Sequence, residues 1–194
     1  MKYRIDVMIP TPEEWVKTVL DNFNEFLIDH AENERKASAM GMSFIAKYPD
    51  RTKMIPSLID HAIEELEHFK GVYKIMHERG IALPHKIGED KYAQELVKLA
   101  RSGRDDRFMD RMLIASVIET RGMEKFRMVE EALEPGEIKD FYKEIWVSEA
   151  RHGDLFVELA LMYFDEKEVM ERLKYFNEQE SLIMKKLPIR PAMH

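Results

Sequence analysis

The chain has 194 residues, 37 of them Asp or Glu against 30 Lys or Arg, giving a formal net charge of −7, and it contains no cysteine. The missing cysteine excludes disulfides, thiolate-bound zinc, cysteine-ligated iron–sulfur clusters and thiol nucleophiles, so any metal has to be held by nitrogen and oxygen. The acidic balance argues against a polyanion gripped by the whole surface, and eight Gly with eight Pro, a sum near 8% where about 12% is usual, disfavours turn-rich sandwiches and barrels.

Thr11-Pro12-Glu13-Glu14 reads as a helix start, with Thr11 as cap, Pro12 in the first turn and Glu14 closing a capping box. The helix is predicted to run to Lys47, with Phe23, Phe26, Leu27, His30, Glu34, Ala37, Gly41, Phe44 and Ile45 on one stripe. Tyr48-Pro49-Asp50 breaks it. A second helix is predicted from Lys53 to Arg79, with Pro56 tolerated in its first turn and Gly80 as its C-terminal stop. Its inward face reads Leu58, Ile59, Ala62, Glu65, Leu66, Phe69, Val72 and Met76.

Residues 80–88 read as extended, and a shorter helix follows from Glu89 to Ser102, closed by Gly103. A third long helix spans Arg104 to Ala132 with Phe108, Met112, Ala115, Glu119, Met123 and Phe126 inward, and Pro135-Gly136 ends it. A fourth runs from Glu137 to Tyr163 on the stripe Phe141, Ile145, Ser148, His152, Leu155, Leu159 and Met162. Asp165-Glu166-Lys167-Glu168 caps a further helix that ends before Pro188, leaving a short basic tail. The pattern of two long-helix pairs joined by a long connection predicts an all-α four-helix bundle with a crossover and additional short and C-terminal helices, as one domain over 1–194. No apolar run approaches the roughly 20 residues of a membrane span, and no secretory pattern follows Met1. A soluble, unprocessed, cytoplasmic protein with no membrane partner is the expectation.

Two Glu-x-x-His pairs occur, Glu65 with His68 and Glu149 with His152. Chance alone supplies roughly one such pair at this composition, so their position matters more than their number. Antiparallel pairing of the predicted helices sets Glu34 level with Glu65, and Glu119 level with Glu149. Residues at i and i+3 share a helix face, so each hairpin offers two carboxylates and an imidazole at one height. Burying four carboxylates without compensation would cost many kcal/mol, whereas two divalent cations would neutralise them. One Glu from each of two helices and Glu-x-x-His from the other two is the ligand set of ferritin-like di-iron and di-manganese bundles. Hard oxygen donors with one imidazole per metal suit iron, with manganese possible. Glu32 and Glu124 are the runner-up ligands; Glu32 is predicted to face solvent, some 200° from Glu34. Glu64 and Ser148 are candidates to hydrogen-bond the ligand imidazoles, and His30 and His61 read as core or rim histidines.

Around these residues the chain resembles the MiaE family, di-iron hydroxylases of hypermodified tRNA. The likeness is carried by the segments Asp29-His30-Ala31-Glu32-Asn33-Glu34-Arg35-Lys36-Ala37, Glu64-Glu65-Leu66-Glu67-His68-Phe69, Ile118-Glu119-Thr120-Arg121 and, most specifically, Ser148-Glu149-Ala150-Arg151-His152. The resemblance implies Glu34, Glu65, His68, Glu119, Glu149 and His152 as metal ligands, O2 as co-substrate, an external electron donor or reductase, and hydroxylation of the isopentenyl group of a 2-methylthio-adenosine in tRNA. The stretch Gly122-Met123-Glu124-Lys125-Phe126 departs from the family pattern, one turn beyond Glu119.

Candidates for tRNA phosphate contacts are Arg101, Arg104 and Arg107, diluted by Asp105, Asp106 and Asp110, and Lys185 and Lys186 in the tail. Phe26, Phe69, Met112, Ala115 and Met123 are candidates to line a prenyl slot and read equally as core, while Trp15 and Trp146 read as packing residues. An aldehyde-deformylating oxygenase, a manganese catalase and an iron-storage or ferroxidase module share the ligand set and stand as alternatives.

Overall fold

The computed structural model describes residues 2–86 and 88–193; Ile87, within the stretch predicted as extended, lies outside them. All regular structure among the described residues is helical, as predicted: α1 (Glu13–Asp21), α2 (Phe23–Lys47), α3 (Ile55–Glu78), α4 (Lys91–Lys98), α5 (Arg104–Ala132), α6 (Glu137–Leu161) and α7 (Glu166–Met184), with a 3₁₀ turn at Thr52–Met54. The chain forms two compact units, one of residues 17–89 and 191–193 built on the α2–α3 hairpin, the other of residues 2–16 and 90–190 built on α5 and α6.

In the first unit the predicted first helix is broken at Asn22, whose φ of −131° is non-helical and whose side-chain Nδ2 donates to the Thr18 carbonyl. Asn competes in this way with the helical ladder, so α1 and α2 are separate helices. Ahead of α1, in the second unit, the Thr11 amide and hydroxyl both donate to Glu124. α3 carries Pro56 in its first turn and stops before Gly80, which takes the left-handed φ of 69°. The buried face of α3 is Leu58, His61, Ala62, Glu65, Val72, Ile75 and Met76, while Ile59 and Leu66 are exposed, against the expectation. Those two lie one residue, about 100°, to the side of the true stripe. The Ser38 hydroxyl ties α2 to α3 through the Ala62 carbonyl.

In the second unit α5 packs chiefly against α6 and also against α7 and α4. It is therefore buried around most of its circumference, with Asp110 and Arg121 inside as well as its apolar stripe. Two networks hold this arrangement. Asp110 accepts from the Arg101 and Arg172 guanidinium groups and from the Arg101 amide. Burial by itself would raise the Asp110 carboxyl, but the two arginines outweigh it and hold it below the usual carboxylate range. Arg121, fully buried, donates to both oxygens of Glu180, to Glu124, to Thr11 and to the Ile9 carbonyl. Burial disfavours its charge, and Glu180 more than compensates, so the guanidinium stays protonated at any accessible pH. Asp165 caps α7 and Asp90 caps α4, each accepting a backbone N–H. Met162, predicted inward, lies beyond the end of α6 and is exposed.

Candidate metal centre

The first unit brings Glu34 of α2 beside Glu65 and His68 of α3, one donor atom of each lying within 4.8 Å of the others. Both carboxylates are buried. The His68 Nδ1 atom stands 3.5 Å from Glu34 Oε2 and 3.2 Å from Glu65 Oε2. The other oxygens point elsewhere: Glu34 Oε1 is 2.6 Å from His30 Nε2, and Glu65 Oε1 is 3.0 Å from His61 Nε2. His30 and His61 each sit four residues before the carboxylate they meet, one helical turn away on the same face.

The second unit gathers Glu119 of α5 with Glu149 and His152 of α6, again with donor atoms within 4.8 Å of one another. All three are buried. His152 Nδ1 faces Glu149 Oε2 at 3.7 Å, while its Nε2 stands 3.4 Å from the Ser148 hydroxyl, which also accepts from Arg151. The helices meet closely here because residue 153 is glycine: a Cβ at that position would fall 2.9 Å from both Thr120 Oγ1 and the Arg4 side chain. Arg4 is held in turn by Asp154 and the Ala150 carbonyl and reaches the Met123 sulfur, so an N-terminal segment covers the turns that carry Glu149 and His152.

Each unit thus presents two buried carboxylates and an imidazole. Where the fold buries carboxylates to hold helices together it gives them guanidinium partners, as at Asp110 and Glu180. The carboxylates of the two trios stand beside imidazoles. A hard-oxygen and imidazole donor set of this kind fits a divalent iron or manganese ion in each unit.

Glu64 is half-buried on α3. The runner-up Glu124 is taken by Thr11 and Arg121. Glu32, expected at the surface, is buried, because the connection after α3 returns over it and the Gly88 amide donates to its carboxylate at 3.0 Å. Among the basic candidates Arg104, Arg107, Lys185 and Lys186 are exposed, whereas the Arg101 guanidinium is bonded to Asp110 and Asp106. Of the slot candidates Phe26, Met112 and Ala115 are buried, and Phe69 and Met123 half-buried. Trp15 is a packing residue, buried under the Lys125 ammonium 4.7 Å from its ring centroid. The approach of His30 to Glu34 and of His61 to Glu65 goes beyond the expected core or rim positions. Their i, i+4 spacing to Glu34 and Glu65 was the available signal.

The family model described as tRNA-(MS[2]IO[6]A)-hydroxylase (MiaE) matches residues 3–194. A Pseudomonas putida protein named tRNA 2-(methylsulfanyl)-N(6)-isopentenyladenosine(37) hydroxylase is 33% identical over 82% of this chain and 77% of its own length. A Salmonella typhimurium protein of the same name is 25% identical over 89% of this chain and 81% of its own. Among solved structures, a Synechococcus protein described as having aldehyde deformylating oxygenase activity superposes with a TM-score of 0.90 at 29% identity, covering 97% of this chain and 94% of that one, in keeping with the all-α, ferritin-like class expected from the sequence. With the family model spanning the chain and a relative above 30% identity over four fifths of it, the protein belongs to the MiaE family.

Proposed function

We propose that this protein hydroxylates the isopentenyl group of 2-methylthio-N6-isopentenyladenosine in tRNA, using two iron ions held by Glu34, Glu65, His68, Glu119, Glu149 and His152 in one ferritin-like domain. The observation that carries the reading is the repetition of one donor set: each unit buries a Glu together with a Glu-x-x-His. Membership of the family and the names of two relatives support the substrate. Four carboxylates balance two divalent charges, and the two imidazoles complete the ligands as neutral donors.

When bound, the two metal ions supply the O2 chemistry that side chains lack. One oxygen atom enters the C–H bond and the other leaves as water, which requires two electrons and two protons; an external electron donor or reductase is therefore a partner. The chain's own residues fix the donor atoms and exclude water. Ser148, beside His152 Nε2, keeps that ring oriented, and Glu64 is proposed to do the same on α3. Arg104, Arg107, Lys185 and Lys186 are the proposed phosphate contacts, with Arg101 the least available because of its carboxylate partners. A tRNA substrate supports a cytoplasmic location for this reading. No helix among the described residues is long and apolar enough to cross a membrane.

Nucleoside mass spectrometry of tRNA from cells with and without the gene tests the reading. The hydroxylated prenyl-adenosine is expected to vanish on deletion, with its unhydroxylated precursor accumulating; unchanged nucleosides would refute it. The likeness to a protein with aldehyde deformylating oxygenase activity supports a second reading, and it is favoured only if the purified protein, with reductant and O2, converts a long-chain aldehyde and leaves the tRNA untouched.

A further inference from the structure

The outer face of α3 carries a row of apolar side chains that the α2–α3 hairpin leaves uncovered. Ile59, Ile63, Leu66 and Tyr73 are between 41% and 54% exposed. Together with Lys70 and His77, also exposed, they recur at spacings of four, three, four, three and four residues. That is the 3.5-residue repeat by which one helix packs along another in a coiled coil. The row spans about 27 Å from Ile59 to His77. Tyr73 is held in it by stacking on Phe69 at 6.2 Å and on His77 at 6.4 Å. On the same face lies a recess of about 410 Å³ bounded by Glu67, Lys70, Gly71, Tyr73, Lys74 and His77. Residues 70, 73, 74 and 77 are four neighbours of the kind that form the hole for a knob from a facing helix.

We infer that this face is the contact between two copies of the chain, with α3 packed antiparallel on α3 about a two-fold axis. Charge selects the arrangement. The N-terminal half of the row carries Asp60 and Glu67 and the C-terminal half Lys70 and Lys74, all exposed. Their ion pairs along the helix, Lys70 with Glu67 at 2.8 Å and Lys74 with Glu78 at 3.8 Å, are exposed as well, so these charges stay available to a facing surface. Antiparallel apposition lays acids on bases at both ends, whereas parallel apposition lays like on like. A row with two charges of each sign is complementary to itself, as a two-fold contact requires; a polyanion, or a protein surface of one sign, meets as much repulsion there as attraction. Centring the axis between Leu66 and Lys70 sets Ile63 against the partner's Tyr73, Ile59 against the partner's His77 and Asp60 beside the partner's Lys74. Ile63 is then the knob that enters the recess. A helix face of this length and about 10 Å wide belongs with the weak interfaces, below about 1,200 Å² in total, so dissociation in the micromolar range is expected. The inference is independent of the metal-ligand assignment proposed above.

The test is sedimentation equilibrium of the full-length chain from below one micromolar to several hundred micromolar, where a monomer–dimer equilibrium is expected. Ile63→Lys keeps a helical i, i+4 partner in Glu67 but sets a cation against the partner's Lys70 and Lys74. It is expected to raise the dissociation constant about tenfold or more while its helical circular dichroism stays that of wild type. Lys74→Glu is expected to weaken the dimer about 2–30-fold, the range for two exposed ion pairs, and adding Asp60→Lys to it is expected to restore wild-type affinity. Because the chain has no cysteine, a spin label can be placed on Glu78→Cys alone. The two labels are expected about 30 Å apart along the helix axis in the antiparallel pair; a parallel pair would hold them side by side. A monomer at every concentration, a dimer indifferent to Ile63→Lys, labels side by side, or a double variant no tighter than Lys74→Glu would each overturn the inference. Lys74 and Glu78 are surface positions, so their variants decide the matter even if Ile63→Lys does not fold.

Discussion

Replacing Arg121 with methionine tests how the second unit is held together. The guanidinium is fully buried and donates to Glu180 at 2.7 and 2.9 Å, to Glu124 at 2.5 Å, to Thr11 at 3.1 Å and to the Ile9 carbonyl at 3.0 Å. Methionine fills similar space but leaves the Glu180 carboxylate, itself 1% exposed, with only the Tyr92 hydroxyl at 3.3 Å as a remaining donor among these contacts. Breaking a buried pair by removing one partner costs about 3–5 kcal/mol. For a chain of this size that is a fall in Tm of about 6–20 °C, at about 2–4 °C per kcal/mol. Removing both charges, in Arg121→Met with Glu180→Met, eliminates the stranded carboxylate, so the double variant is expected to recover at least half of the lost stability. Urea unfolding of wild type, both single variants and the double variant gives the cycle. A cost below about 1 kcal/mol for Arg121→Met, or a double variant no more stable than that single one, would refute the view that this network is a tightly coupled buried pair.

Gly153→Ala is expected to destabilise the protein by about 1–3 kcal/mol, the usual range for overpacking, because Thr120 Oγ1 at 2.9 Å is itself anchored on the Ser116 carbonyl. Adding Arg4→Ala is not expected to relieve this in equilibrium urea melts, since the Thr120 clash remains. Asp110→Asn is expected to cost about 1.5–3 kcal/mol at neutral pH, the range for hydrogen bonds to charged groups. Because the folded carboxyl titrates below its unfolded value, its stabilising effect is complete above the unfolded pKa near 4 and fades as pH falls through the folded value. In thermal melts the gap between wild type and variant should therefore be constant from pH 7 down to about pH 5 and should shrink steadily as the pH falls below about 4. Glu149→Ala is expected to hold one metal ion where wild type holds two; two per chain in the variant would count against that ligand.

Helical periodicity was enough to place α5 at its observed limits and to locate the stop of α3 at Gly80, because in both cases the signal is local: a Gly before the helix, a Pro-Gly or a Gly after it. The break at Asn22 was hidden because helix formers flank it on both sides and only a side-chain bond to Thr18 marks the interruption. Glu32 was misplaced for a different reason. Angular position on a helix says which way a side chain points, but not that a strand of chain 56 residues later will cover it. Apolar patterning also located the face of α3 only to within one residue, since Ile59 and Leu66 extend the predicted stripe sideways to the surface. For the candidate site, the two Glu-x-x-His pairs and their level partners could be read from spacing. The close approach of His30 Nε2 to Glu34 and of His61 Nε2 to Glu65 depends on rotamers, which no spacing rule supplies.

The short segments at residues 3–4 and 191–193 give the two trios separate readouts. The amides of Tyr3 and Arg4 both donate to Asp154, two residues beyond His152. The amide of Met193 donates to Asp29, next to His30 and five residues ahead of Glu34. Backbone hydrogens locked on carboxylates exchange with deuterium only when the local contact opens. Three amides therefore serve as built-in reporters, two for the turn that carries His152 and one for the turn that carries His30, so hydrogen exchange can follow the tightening of each half of the molecule on its own during metal loading.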